Sequence, residues 1–152
     1  MKNLINKTRV ANAGLEAVIL RVPIGLILAA HGCQKLFAWF GGYGLEGTGQ
    51  WMASVGLTPG FVMALLAGSA EFFGGVALIL GLLTRPAAMI NALTMLVALF
   101  WVYWGHGFFL DTQGIEYVLA LLSASTALIF IGGGQYSLDA LIETKLLEAK
   151  DE

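Results

Sequence analysis

Five ionisable side chains lie inside or at the edges of long apolar runs: Arg21, His31, Lys35, Glu71 and Glu116, with the amide of Asn91 as a neutral companion. An ionisable group in a lipid-spanning segment is expensive, so each needs a partner or a function. A carboxyl and a guanidinium at similar depth would neutralise one another and could hold or relay a proton. At about 1.5 Å per residue, Glu71 sits roughly 15 Å into its run and Arg21 about 9 Å into its own. The two runs are consecutive and therefore antiparallel, which makes Arg21–Glu71 the expected buried pair. Catalysis and simple fixing of helix packing are both open as its purpose. Ala67, Gly68, Gly74 and Gly75 surround Glu71 at helical spacing, a face of small residues that lets another helix approach closely.

A second group gathers toward the opposite end of the first run. Arg21, Gly25, Leu28, Gly32 and Lys35 fall on one helical stripe, with His31 one turn before Lys35. His106, Asp111 and Glu116 come from a later loop and the start of the last run. Together these would form an outward-facing polar pocket beneath aromatic rings. In it, His31, Lys35 and Glu116 would position a quinone head-group, which needs hydrogen-bond donors and a proton acceptor beside an apolar slot. The competing reading for Lys35 is snorkelling to the lipid headgroups, and for His106, Asp111 and Glu116 it is simple solvation. A haem held by His31 and His106 is a weaker reading, because no Glu-x-x-His or His-x-x-x-His spacing supports it. No residue is assigned to a metal. Ser69, Ser123 and Ser125 have no adjacent base, and the single Cys33 allows no dithiol chemistry within the chain.

The elements that must position these groups follow from composition. Of 152 residues, 58% are hydrophobic and 12% charged, against soluble norms of roughly 45–50% and about 25%. Mean hydropathy is +0.80. So few charges cannot cover a small soluble domain, and disordered chains lack this much apolar residue. A net charge of -2 gives no basic face for nucleic acid. The chain therefore reads as an all-α integral membrane protein in contact with lipid.

Four runs approach the roughly 20 residues a spanning helix needs: about 15–39, 61–83, 87–104 and 115–131. The spacing predicts a four-helix bundle over 15–142, with tails at 1–14 and 143–152. A short interfacial helix is expected near 50–55, a tight turn at Thr84-Arg85-Pro86, and a short helix in the acidic tail. Lys2, Lys7, Arg9, Arg85, Lys145 and Lys150 flank one end of the spans, while the first and third loops hold no lysine or arginine. By the positive-inside rule both termini should face the cytoplasm. Trp39, Trp51, Trp101, Tyr103 and Trp104 are expected in the outer aromatic belt. The segment AAHGC is a poor lipid-attachment box, and Arg21 interrupts the apolar region before it, so the first run is read as a retained helix.

Three stretches then suggest a family: LRVPIGLILAAHGCQKLF, AEFFGGVALILGLLTRPAA and GIEYVLALLSASTALIFIGGGQYSLDALI. They show, in order, Arg-x-x-x-Gly, a His-Gly-x-x-Lys-Leu segment, a mid-helix Glu before glycines and Gly-x-x-Thr-Arg. Gly-x-Glu then opens the last helix, and a glycine-rich stretch enters Ser-Leu-Asp. The pattern resembles the DoxX family of small four-helix membrane proteins over about residues 16–142. The resemblance places the family's marks on Arg21, Gly32, Lys35, Glu71, Gly81, Arg85, Glu116 and Asp139. It implies a bacterial cytoplasmic membrane protein. Some such relatives are subunits of quinone-linked oxidoreductases, such as thiosulfate:quinone oxidoreductase, or associate with thiol and oxidative-stress enzymes.

The resulting expectation is a membrane subunit or anchor of a quinone-linked oxidoreductase system, working with a redox-enzyme partner. Two alternatives stay open: a structural or assembly protein whose charges only specify packing, and a small-solute or proton pathway. The second needs a homo-oligomer, since four helices leave little room for a pore.

Overall fold

A computed structural model describes residues 14–149. Lys2, Lys7, Arg9 and Lys150, which contribute to the orientation argument, lie outside the described residues, as does nearly all of the 1–14 tail. The described residues form six α-helices and no strand. These are α1 (Leu15–Phe37), α2 (Gly44–Ser54), α3 (Gly60–Leu80), α4 (Thr84–Ala98, continued by a π-helical turn at Leu99–Tyr103), α5 (Glu116–Ile131) and α6 (Leu138–Glu148). The helices α1, α3 and α4 with its π turn are long and apolar enough to cross a membrane. The apolar α5 has 16 residues, about 24 Å against a hydrocarbon core of about 30 Å.

The pairing of α1 with α3 comes from two stripes of small residues. The buried positions of α1 include Ala17, Arg21, Gly25, Leu28 and Gly32. Those of α3 are Gly60, Ala64, Gly68, Glu71, Gly75 and Leu78. Both sets recur at helical spacing, and they face each other in antiparallel register. A Cβ on Gly25 would lie 2.7 Å from the Gly75 carbonyl oxygen, and one on Gly75 would lie 2.5 Å from the Ala29 nitrogen. The backbones touch there. In lipid, apolar side chains gain little by leaving one apolar medium for another, so such close contact supplies much of the association. Gly75→Val should therefore force α1 and α3 apart at a cost of about 1–3 kcal/mol. Thermal unfolding in mild detergent should show it, whereas Phe73→Leu on the lipid-exposed face should stay within about 0.5 kcal/mol.

The same contacts fix where α1 ends relative to α3. Lys35 and Leu36 lie against Gly68, eight residues inside the start of α3. The end of α1, one to two residues further on, thus stops about 10 Å short of the start of α3. At that level Ala38 turns the chain with a left-handed backbone (φ 58), and α2 fills the space. Gly49 of α2 meets the backbone of Phe61, and Gly60 of α3 meets Ala53 of α2.

At the other end, Gly81 terminates α3 with φ 67, and a Cβ there would come 2.5 Å from that of Ser137. The α3–α4 turn, the start of α1 and the α5–α6 connection share this end, here the tail end; α2 and the 105–115 loop form the loop end. The helix α4 packs on both α3 and α5, and α5 meets α1 more loosely, closing a ring. Leu28, Leu78 and Leu128 are fully buried at its centre. Ile19, Leu26, Phe73, Leu93, Phe100 and Phe130 are all exposed, as a lipid-facing surface requires.

Candidate intramembrane polar site

The expected Arg21–Glu71 pair does not form. Glu71 instead takes Lys35: Nζ donates to Oε2 at 2.5 Å, with 5% of the Glu71 side chain and 22% of the Lys35 side chain exposed. The physical reason is register. Because α1 stops short of α3, Lys35 falls beside Gly68 and within reach of Glu71. Arg21 falls beside Leu78 and Ile79, about two turns and 10 Å further along α3. Lys35 has therefore no need to snorkel; its ammonium is turned into the bundle.

Arg21 is 3% exposed and serves a different purpose. Its Nη1 donates to Leu78 O at 2.9 Å and to Ile79 O, and its Nη2 donates to Tyr136 O at 2.5 Å. The last carbonyls of a helix lack partners within it and carry partial negative charge. The guanidinium caps the end of α3 and ties it to the α5–α6 loop. Asp139 completes this clasp. Its carboxylate accepts from Leu83 N (2.7 Å) and Thr84 N (2.9 Å), capping α4, while its own N–H donates to Gly81 O at 2.9 Å.

A second polar pair lies beside the Lys35–Glu71 ion pair. His31 Nε2 and Tyr117 Oη, from α1 and α5, are 3.1 Å apart. Tyr103 reaches the same region from α4. Both Tyr103 and Tyr117 line one cavity with His31, Lys35 and Glu71. Tyr103 is thus not part of the outer aromatic belt. It closes the π turn Leu99–Tyr103, a local departure from α-helical geometry of the kind frequent at functional sites. Sequence reasoning missed both tyrosines as site residues. Tyr117 had a legible signal: it shares an i, i+4, i+8 stripe with the buried Leu121 and Ser125, and a half-buried phenol needs a hydrogen-bond partner.

Glu116 does not join this site. It is the first residue of α5 and turns back over the preceding loop, where Oε1 accepts from Leu110 N at 2.6 Å. Its backbone N–H donates to Phe108 O, so it pins the 105–115 loop. His106 and Asp111 are exposed in that loop and stay apart from His31. Asn91, fully buried, donates from Nδ2 to Ala87 O at 3.0 Å and packs over Gly74.

The cavity measures about 520 Å³, inside the roughly 300–1,000 Å³ common for small-molecule sites. Its floor is Glu71, Met95, Val118 and Leu121, all at most 5% exposed. Trp51, Met52 and Leu57 of the α2 region line its loop end. The remaining walls are apolar faces of α3 and α4. The arrangement offers an ammonium held by a carboxylate, an imidazole–phenol pair and a free phenol at the end of an apolar cleft. Those groups can donate hydrogen bonds to a carbonyl oxygen and exchange protons with it.

Comparison with known proteins places this architecture. The DoxX family model matches residues 17–104, which include every residue of the cavity except those of α5. The chain is 36% identical over 114 residues to "Putative oxidoreductase CatD" of Bacillus subtilis (strain 168), covering 75% of this chain and 78% of that protein. It is 31% identical over 132 residues to "Inner membrane protein YqjF" of Escherichia coli (strain K12), covering 84% and 92%. An uncharacterised protein of Haemophilus influenzae is 31% identical over 127 residues. No solved structure matches the chain. The long apolar helices, the matched family model and these relatives agree: the chain is a membrane protein and belongs to the DoxX family.

Proposed function

We propose that the protein is a quinone-binding membrane subunit of an oxidoreductase system in the bacterial inner membrane. In this reading α1, α3, α4 and α5 all cross the bilayer, both termini face the cytoplasm, and residues 15–142 act as one domain. The observation that supports it best is the Lys35–Glu71 ion pair and the His31–Tyr117 pair converging on one apolar cavity. An oxidoreductase name on one relative and an inner-membrane name on another point the same way.

A quinone held there would supply the two-electron, two-proton chemistry, with electrons from a partner redox enzyme. The chain's own residues bind and protonate. Lys35, oriented by Glu71, donates to one head-group oxygen. His31, oriented by the Tyr117 hydroxyl, stands at the same site as a second donor and proton carrier. Arg21 and Glu116 lie outside this chemistry.

The test is binding in nanodiscs with decylubiquinone as probe. Wild-type protein should bind it, and His31→Leu should weaken binding about tenfold, or about 1.4 kcal/mol, without changing the circular dichroism. Equal affinity in the variant would remove His31 from the site. A wild type that binds no quinone and co-purifies with no redox enzyme would favour the assembly reading. That reading has its own support in Arg21, a charge given over wholly to joining backbone segments.

A further inference from the structure

The walls of the cavity differ sharply in exposure, and the difference has a direction. Glu71 at the floor is 3% exposed, whereas Leu66 of α3 and Ile90, Leu93 and Val97 of α4 line the same space and are 49–59% exposed. These four form a rim on the lipid-facing side. The loop end is covered: α2 is interlocked with α3 through Gly49 and Gly60, and its Trp51 and Met52 lie across the cavity. The tail end is closed by the packed core around Leu28, Leu78 and Leu128. The small side chains Ala67, Ala70 and Ala98 leave the gap between the two helices unfilled.

We infer that the ligand of the Lys35–Glu71 site enters sideways from the bilayer, between α3 and α4, and that its flexible apolar tail stays in that gap when its head is bound. The substrate class is a membrane lipid with a compact hydrogen-bonding head and one long chain. This rests on the proposed head-group site but concerns a separate property, the route and the tail. The tail gains apolar contact in the cleft while its far end remains in lipid. A tailless head-group, having no such contact, binds only through the polar residues.

Two plugged variants test this in nanodiscs: Ala67→Phe, which fills the gap, and Val97→Trp, which bridges the rim from an exposed position and leaves packed contacts intact. Decylubiquinone should lose about tenfold in affinity in both, while tailless ubiquinone-0 should change by less than about twofold. Equal losses for the two probes, or none, would overturn the route. A second probe works without any quinone. The electron paramagnetic resonance spectrum of 12-doxyl-stearic acid should contain an immobilised fraction with wild type that both variants reduce. An identical spectrum in all three proteins would overturn lateral access. The spin-label difference without quinone binding would keep the route and defeat the quinone reading.

Discussion

Lys35→Met should destabilise the protein by about 3–5 kcal/mol, because it strands the buried Glu71 carboxylate without its cation. The reverse deletion should cost less. Lys35 retains 22% side-chain exposure against 5% for Glu71, and its long stem can swing the ammonium toward the cavity when the carboxylate is gone. Glu71→Leu is therefore expected about 1–2 kcal/mol milder than Lys35→Met. The double variant Lys35→Met/Glu71→Leu removes both charges together. It should recover most of the lost stability, leaving a coupling of about 2 kcal/mol or more between the two sites. Unfolding in mild detergent measures all four corners of the cycle. Function should not recover with stability: a head-group that needs the Lys35 donor gains nothing from an apolar replacement. Full decylubiquinone affinity in the double variant would show that the pair only holds the bundle together. Additive single effects would show that the charges do not depend on each other.

The fold was legible where periodicity carried it. The stripe Arg21, Gly25, Leu28, Gly32, Lys35 and the small-residue face around Glu71 are visible as residue types at fixed spacing; Gly68 and Gly75 of that face became the α1–α3 contact, whereas Gly74 met Asn91 of α4 and Ala67 lined the cavity. Helix depth was less legible. Counting each helix from its own boundary assumes that neighbours start and stop level. The glycine contacts instead stagger α1 against α3, and that offset exchanged the partner of Glu71 from Arg21 to Lys35. Glu116 was misplaced for a local reason: at the first residue of a helix a side chain can serve the loop behind it as readily as the bundle beside it. Tyr103 was out of reach, since an α-helical wheel cannot anticipate the π turn that contains it. The cavity is a tertiary property. It needs α2 folded across the loop end and the Ala67–Ala98 side of α3 and α4 left open, and no run of sequence encodes either alone.

Arg21→Met should be nearly as damaging as the loss of Lys35, by a different mechanism. It leaves the carbonyls of Ile79 and Tyr136 without a donor and takes one of two from Leu78 O, which keeps the Gly81 N–H, and an orphaned buried carbonyl costs about 1–3 kcal/mol. A loss of about 3 kcal/mol or more is expected, read as a lower unfolding midpoint and a smaller folded yield. Arg21→Lys should rescue only part of this, because an ammonium lacks the planar fork that reaches three carbonyls at once. Asp139→Ala attacks the same clasp from α6, uncapping Leu83 N and Thr84 N, and should cost about 1–2 kcal/mol. The folded fraction of Arg21→Met should still bind decylubiquinone within about twofold of wild type, since the guanidinium lies about 10 Å from Glu71 along α3. Loss of binding at full stability would instead return Arg21 to the proton-handling role that its charge first suggested. The clasp matters to the cavity all the same. It holds α3, α4 and the α5–α6 loop together at the tail end of the bundle that contains the cavity. On the proposed route, a bundle tied at the tail end, covered by α2 at the loop end and open sideways between α3 and α4 lets a charged pair sit deep in the membrane and still be reached from lipid.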